Sequence, residues 1–188
     1  MTTSFIGALL LASLLTSTGT TGTAATTKDT INMEKENIGS LVALYPKPLT
    51  VVGAEVNGKV NWLVVGHTGI IGHNRIILSM SDKHYTNKGI HQTGRLSINL
   101  VSREMLPKAD YAGSVSGADT DKSTLFAYHI GENGAPLIDE SPLSMECKVV
   151  DKFKTDGFDN FICEVAATYV AKDMLNDNGR PDYTRLKP

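Results

Sequence analysis

Residues 49–65 have the sequence LTVVGAEVNGKVNWLVV, which is the pattern of a β-hairpin. Two runs rich in valine flank Asn57-Gly58, a pair that favours the tight turn between antiparallel strands. We therefore expect one strand over residues 49–56 and its antiparallel partner over residues 60–65. The chain from Pro48 onward thus begins as an antiparallel sheet.

The remainder of the chain combines short strands with a few short helices. Further strands are predicted over residues 75–80, 96–101, 143–150 and 161–171. Short helices are predicted over residues 86–94, 102–111 and 119–128, with Thr86 suited to the first cap. This spacing suits a closed antiparallel barrel, because a doubly wound sheet needs helices of about 10–15 residues between its strands. The sequence therefore predicts a mainly β fold.

The first 27 residues carry no charged side chain, and residues 5–15 form an apolar run. That run is too short to span a membrane, which takes about 20 residues. It resembles the apolar region of a secretory signal but lacks the usual positive start. Two alternatives follow: a working signal with a periplasmic or secreted protein, or an upstream extension of a cytoplasmic protein that starts at Met33. Both give an extension over residues 1–32 and one domain over residues 33–188.

Composition excludes several classes of site and partner. Charged residues make up 20% of the chain and the formal net charge is −2, so no basic field attracts nucleic acid or an anionic membrane. Cys147 and Cys163 lack the short-spaced pairs of a zinc site, and we expect both to be buried core residues. A disulfide or a reactive thiol is the alternative for them. The histidines lack the spacing of metal ligands, so no metal site is predicted.

A polar segment over residues 79–90, SMSDKHYTNKGI, leads from an apolar strand into a predicted helix. A helix N-terminus presents unpaired N–H groups and a partial positive charge, and so favours a phosphate. Lys83 adds a positive charge there and Thr86 adds a hydroxyl, while His84 lies nearest to both. The alternative is that Thr86 only caps its own helix and Lys83 is solvated.

A second loop, SVSGADTDK over residues 114–122, carries Lys122 at its end. We expect Lys122 to reach the same anion as Lys83. The alternative is an exposed Asp-Lys ion pair, which contributes less than about 1 kcal/mol.

Together these segments resemble a known family. The landmarks occur in the order Tyr45-Pro46, Asn61, Lys83 with Thr86 and Ile90, the run over residues 96–101, Ser116-Gly117 with Asp121-Lys122, and Glu146-Cys147. This ordered set resembles the flavin reductase-like domain and, within it, the flavoredoxins. The resemblance covers residues 42–188.

The resemblance implies an FMN-binding split β-barrel, antiparallel and of Greek-key type, that is dimeric with FMN near the subunit interface. It assigns Lys83, Thr86 and Lys122 to the FMN phosphate, with Ser79 and Ser81 beside them. It assigns Asn61 to the flavin region and the backbone of residues 64–68 to the isoalloxazine ring.

Two features depart from the family pattern. His67 stands where many members have a tryptophan, so an imidazole would replace the indole that stacks on the flavin. Members also usually continue beyond the position of Pro188 into another strand. We therefore expect either a truncated C-terminus or a flavin site that closes differently.

The implied function is a flavoprotein oxidoreductase without catalytic side chains of its own, because the flavin performs the electron transfer. It would be either a reductase that takes electrons from NAD(P)H or a flavoredoxin-like carrier with a protein redox partner. The alternative is an exported, non-enzymatic barrel that binds a small molecule and has lost flavin chemistry.

Overall fold

The computed structural model describes residues 33–188, and the extension predicted over residues 1–32 lies outside them. The chain divides into two units, Met1–Val42 and Ala43–Pro188. The described part of the first unit, residues 33–42, contains no helix or strand. The second unit contains every helix and strand described below.

The second unit is mainly β. Its strands are β1 Thr50–Val56, β2 Lys59–Val65, β3 Thr68–Ile70, β4 Arg75–Ser81, β5 Arg95–Leu100, β6 Tyr128–Ile130, β7 Pro136–Ile138, β8 Leu143–Thr155 and β9 Phe158–Val170. Its helices are α1 Tyr85–Thr93, α2 Leu106–Ser114, a 3-10 turn Lys172–Met174 and α3 Tyr183–Leu186. Among residues 33–188, no helix is long and apolar enough to cross a membrane.

Seven strands form one antiparallel sheet in the order β2-β1-β5-β8-β9-β4-β3, and β6 pairs with β7 separately. The sheet curls so that its two edge strands, β2 and β3, follow each other in the chain across Gly66 and His67. These edges are not paired with each other, which agrees with the predicted split form of the antiparallel barrel. The architecture is a split β-barrel.

The hairpin predicted at Asn57-Gly58 is confirmed. Both residues have positive φ, 52° for Asn57 and 79° for Gly58, as the tight turn between twisted strands requires. The pairing that follows places Gly53 opposite Trp62. A Cβ on Gly53 would lie 2.3 Å from the Trp62 ring, so only glycine lets the indole pack across β1.

The two faces of the sheet bury separate apolar clusters. One contains Leu63, Leu78, Ile90 and both cysteines, and the other packs Trp62 against α2 and Phe126. Asn61 and Trp62 therefore face opposite sides of β2, as strand alternation predicts. Cys147 and Cys163 are buried free thiols, which confirms them as core residues. Burial raises the pKa of both, to about 12 for Cys163.

Two of the predicted helices differ from the observed ones. The first, α2, begins at Leu106 rather than at residue 102, because Pro107 lacks an N–H and fits only the first helical turn. The helix predicted over residues 119–128 is absent, and that segment consists of turns ending in β6. The Asp121 side chain accepts a hydrogen bond from the backbone N–H of Ser123 at 2.9 Å. This local bond competes with the backbone hydrogen bonds of a helix.

Candidate functional site

The site begins with a hydrogen bond between β2 and α1. Nδ2 of Asn61 donates to Oγ1 of Thr86 at 2.8 Å, and the two side chains are buried. Thr86 is therefore not the helix cap that the sequence suggested, because the cap position belongs to His84. Since the Thr86 oxygen accepts from Asn61, its own hydroxyl proton remains free to donate.

The loop that follows α2 closes against this pair at Gly117. A Cβ on Gly117 would lie 2.2 Å from Oδ1 of Asn61 and 2.8 Å from Cδ1 of Tyr85. Any side chain at this position would therefore push the loop away from Asn61. The absence of a Cβ brings the backbone of residues 116–118 close to the Asn61–Thr86 pair.

Lys122 lies at the end of this loop and is almost completely buried, with 2% of its surface exposed. Its Nζ donates to the carbonyl oxygens of Ala112, at 2.9 Å, and Val115, at 3.1 Å. These acceptors lie at the C-terminal end of α2, where the helix dipole favours a positive charge. A lysine has three donors, so one N–H remains for a ligand. Burial lowers the pKa of this ammonium group.

These residues surround a cavity of about 220 Å³, here called the lysine cavity. Its walls are Asn61, Lys83, Thr86, Lys122 and the backbone of residues 113–117, together with Leu63, His84 and Tyr85. The structure thus brings together the three residues assigned to a phosphate and the asparagine assigned to the flavin region.

A second cavity of about 360 Å³, here called the slot, adjoins the first. His67 lies on its wall, where its ring centroid is 5.8 Å from that of Phe158 at an angle of 50°. Val64, Val65 and Gly66, from the segment that the resemblance assigns to the isoalloxazine ring, line it too. Ser79 and Ser81 also line the slot and not the lysine cavity, which separates them from the proposed phosphate contacts.

The two cavities share an unusual charge distribution. Lys47, Lys83 and Lys122 line them, yet among residues 33–188 no aspartate or glutamate does. The chain as a whole has a formal net charge of −2, so the positive charge of the cavities is local. An anionic ligand is the chemistry that such walls favour.

The end of the β8–β9 hairpin holds the loop that carries Lys83. The backbone N–H of Asp82 donates to the carbonyl oxygen of Gly157 at 2.9 Å. Nδ2 of Asn87 donates to Oδ2 of Asp159 at 2.9 Å and to the carbonyl oxygen of Ser81 at 3.0 Å. The hairpin therefore fixes both ends of the segment from Ser81 to Asn87.

Asp159 is a buried carboxylate in this network, and His91 approaches the same oxygen with Nε2 at 3.1 Å. Burial opposes ionisation of Asp159, but the hydrogen bonds from Asn87 and His91 outweigh it. The pKa of Asp159 is therefore lowered. This carboxylate remains charged over the neutral range and anchors α1 beside the site.

Sequence analysis missed several residues on the walls of the slot. Lys47, Leu49 and Phe158 line it, and Nζ of Lys47 also donates to the carbonyl oxygen of Thr68. The landmark Tyr45-Pro46 pointed to the segment before β1 but gave it no role. Phe158 carried no signal, because its position depends on the register between β4 and β9.

The match to a model of the flavin reductase like domain extends over residues 42–185. The chain belongs to the flavin reductase-like domain family. This confirms the resemblance to the family. Within residues 33–188, this flavin reductase-like domain contains no cluster of three or more histidine, cysteine, aspartate or glutamate residues that could hold a metal ion.

Individual relatives agree with this placement. A flavoredoxin from Methanosarcina acetivorans is 36% identical with a TM-score of 0.77, and the alignment covers 83% of this chain and 85% of that one. An FMN-binding protein from Thermus thermophilus, with bound 1-cyclohex-2-enone, shares the fold at 22% identity and a TM-score of 0.69, covering 80% and 86% of the two chains.

A curated relative matches only in part. An uncharacterized protein from Aeropyrum pernix is 28% identical over 141 residues, which cover 70% of this chain and 52% of that protein. The chain therefore spans about half the length of this relative.

Proposed function

We propose that this flavin reductase-like domain binds FMN across the two cavities and works as an electron-transferring flavoprotein. The observation that carries the proposal is the pair of adjoining cavities, which, in the part of the chain that the structure describes, are lined by three lysines and by no carboxylate. One is polar and matches a phosphate, whereas the other is partly apolar and matches a flavin ring. Bound FMN would supply the hydride or electron chemistry.

The lysine cavity would hold the phosphate. Lys122 has one free N–H, Thr86 has a free hydroxyl proton, and Lys83 contributes an exposed ammonium group. Buried Lys122 requires an anion more than a solvated lysine does, because burial disfavours its charged form. Cationic groups and hydroxyl donors are the chemistry that a phosphate dianion requires.

The slot would hold the isoalloxazine. Val64, Val65 and Met80 provide apolar walls, while His67 and Phe158 provide rings on one side. His67 is exposed and its imidazole is available to stack on the flavin or to hydrogen-bond with it. Ser79 and Ser81 also line the slot and would offer hydroxyl groups to the ring, although the resemblance placed them beside the phosphate contacts.

Two forms of this function differ in the source of the electrons. A reductase would accept a hydride from NAD(P)H, and a carrier would exchange electrons with a protein partner. The similarity to a flavoredoxin favours the carrier.

We also propose that the chain forms a homodimer, because the family that it resembles is dimeric. Sedimentation velocity of the full chain tests this proposal.

The experiment is to add FMN to the purified full chain, remove unbound flavin and mix the yellow protein anaerobically with NADH or NADPH. Rapid bleaching of the bound flavin would identify a reductase. Bound flavin that bleaches with dithionite but not with either nicotinamide would identify a carrier. A colourless protein that takes up no FMN would refute the proposal and favour the non-enzymatic barrel.

A further inference from the structure

His84 is the residue at which the two cavities meet. Of all the described residues, it is the only one that lines both the slot and the lysine cavity. A ligand with its ring in the slot and its phosphate in the lysine cavity must therefore pass beside this side chain.

The backbone of His84 is fixed, whereas its imidazole is free. Its N–H donates to the carbonyl oxygen of Ser81 at 3.0 Å, and its carbonyl oxygen accepts from the N–H of Asn87 at 3.1 Å. His84 is the N-cap residue of α1, with φ −69° and ψ 129°, and its side chain makes no hydrogen bond to the helix. The half-buried ring thus keeps both nitrogens available for a ligand.

The surroundings of His84 are cationic. Lys122 faces it from the loop after α2, and Lys83 and Tyr85 flank it in the chain. Lys47 and His67 also line the slot, and none of the described aspartate or glutamate residues lines either cavity. Burial, and then the charge of Lys122, lower the pKa of His84. Its imidazole is therefore neutral at neutral pH when no ligand is bound.

We propose that His84 is a binding residue for the flavin at the junction of its ring and phosphate halves, and that it takes up a proton when an anionic flavin binds. The phosphate adds negative charge where the protein supplies only positive charge. An opposite charge nearby favours the protonated imidazole, which reverses the effect of Lys122. The proton comes from solvent, and no electron or covalent bond is transferred.

This inference rests on the proposed FMN site and predicts a measurable proton linkage. Calorimetric titration of the full chain with FMN, repeated at one pH in two buffers of different ionisation enthalpy, gives the number of protons taken up. The wild-type protein should take up more protons than His84→Gln, which can hydrogen-bond but cannot be protonated. FMN affinity of His84→Gln should fall about tenfold near pH 6, since a charge-assisted hydrogen bond is lost.

Three controls separate this result from other causes. The phosphate of FMN also titrates, so the difference in proton uptake between the wild type and His84→Gln, and not the total, reports the protonation that depends on His84. His73→Gln changes an exposed histidine that lines neither cavity and should leave the proton uptake unchanged. His84→Asn provides a second variant if His84→Gln melts at a lower temperature than the wild type.

The outcomes distinguish this inference from the proposed function. If FMN binds to both the wild type and His84→Gln with equal affinity and equal proton uptake, the role of His84 is refuted while the flavin site stands. If the wild type binds no FMN, both fail.

Discussion

Nδ2 of Asn61 donates a hydrogen bond of 2.8 Å to Oγ1 of Thr86, and this contact joins the sheet to the helix at the wall of the lysine cavity. The Thr86 oxygen accepts this bond, so the hydroxyl proton of Thr86 remains available to donate to a ligand. A buried threonine can therefore hold β2 to α1 and also donate to the proposed phosphate.

Thr86→Val should weaken FMN binding much more than riboflavin binding, because riboflavin lacks the phosphate. A lost hydrogen bond to a charged group costs on the order of 1.5–3 kcal/mol, which is about tenfold or more in affinity. Titration of flavin fluorescence measures both ligands. Thr86→Ser keeps the hydroxyl and should retain most of the FMN affinity. Equal losses for FMN and riboflavin would remove Thr86 from the phosphate site.

Lys122→Met should lose both FMN affinity and stability. The carbonyl oxygens of Ala112 and Val115 would lose their donor, at a cost of about 1–3 kcal/mol in the free energy of unfolding. Lys83→Met is the matched control, since Lys83 is exposed and its loss should reduce FMN affinity with little effect on stability. Urea unfolding and FMN titration of the two variants provide the comparison. A Lys122→Met protein as stable as Lys83→Met would contradict this role.

Gly117→Ala should displace the loop from Asn61, because the new Cβ would lie 2.2 Å from Oδ1. Overpacking of this kind typically costs about 1–3 kcal/mol, and FMN affinity should fall with it. Gly72→Ala is the control, since its Cβ would meet the nearest atom of Arg75 at an ordinary 3.5 Å. Thermal unfolding and FMN titration should leave Gly72→Ala near the wild type. If Gly117→Ala behaves the same way, the close approach to Asn61 is not a requirement of the site.

Asp159→Asn should destabilise the protein in a pH-dependent manner. The pKa of Asp159 is lowered in the folded state, so its contribution is present above the unfolded value, near 4, and is lost as pH falls through the folded value. The variant should be less stable by about 1–3 kcal/mol at neutral pH, with the difference shrinking in acid. Urea unfolding between neutral pH and the onset of acid denaturation measures this. A difference that grows as pH falls would contradict the assigned direction.

Local sequence signals predicted the fold well. Asn57-Gly58 defined the first hairpin because only a few residue pairs tolerate two positive φ angles. Asn61 and Trp62 lie on opposite faces of β2 because successive side chains of a strand point to opposite sides. The helix predicted over residues 119–128 was wrong because contacts of Lys122 with Ala112 and of Asp121 with Lys59 override local propensity.

The candidate site was only partly predictable. Lys83 and Thr86 were found because they are three residues apart at a helix start. For Lys122 the loop pattern left an exposed ion pair as the alternative, and the assignment to the phosphate came from the resemblance, because only the folded chain brings this residue beside Lys83. Strand register and loop packing determine where His84 and Phe158 lie in the cavities. No local sequence pattern predicts either of them.

The most direct test of the flavin site is a pair of equilibrium titrations of the wild-type full chain, one with FMN and one with riboflavin, followed by flavin fluorescence. If the lysine cavity holds a phosphate, the chain binds both flavins and binds FMN about tenfold or more tightly. Binding of neither flavin, or equal affinity for the two, would contradict the account.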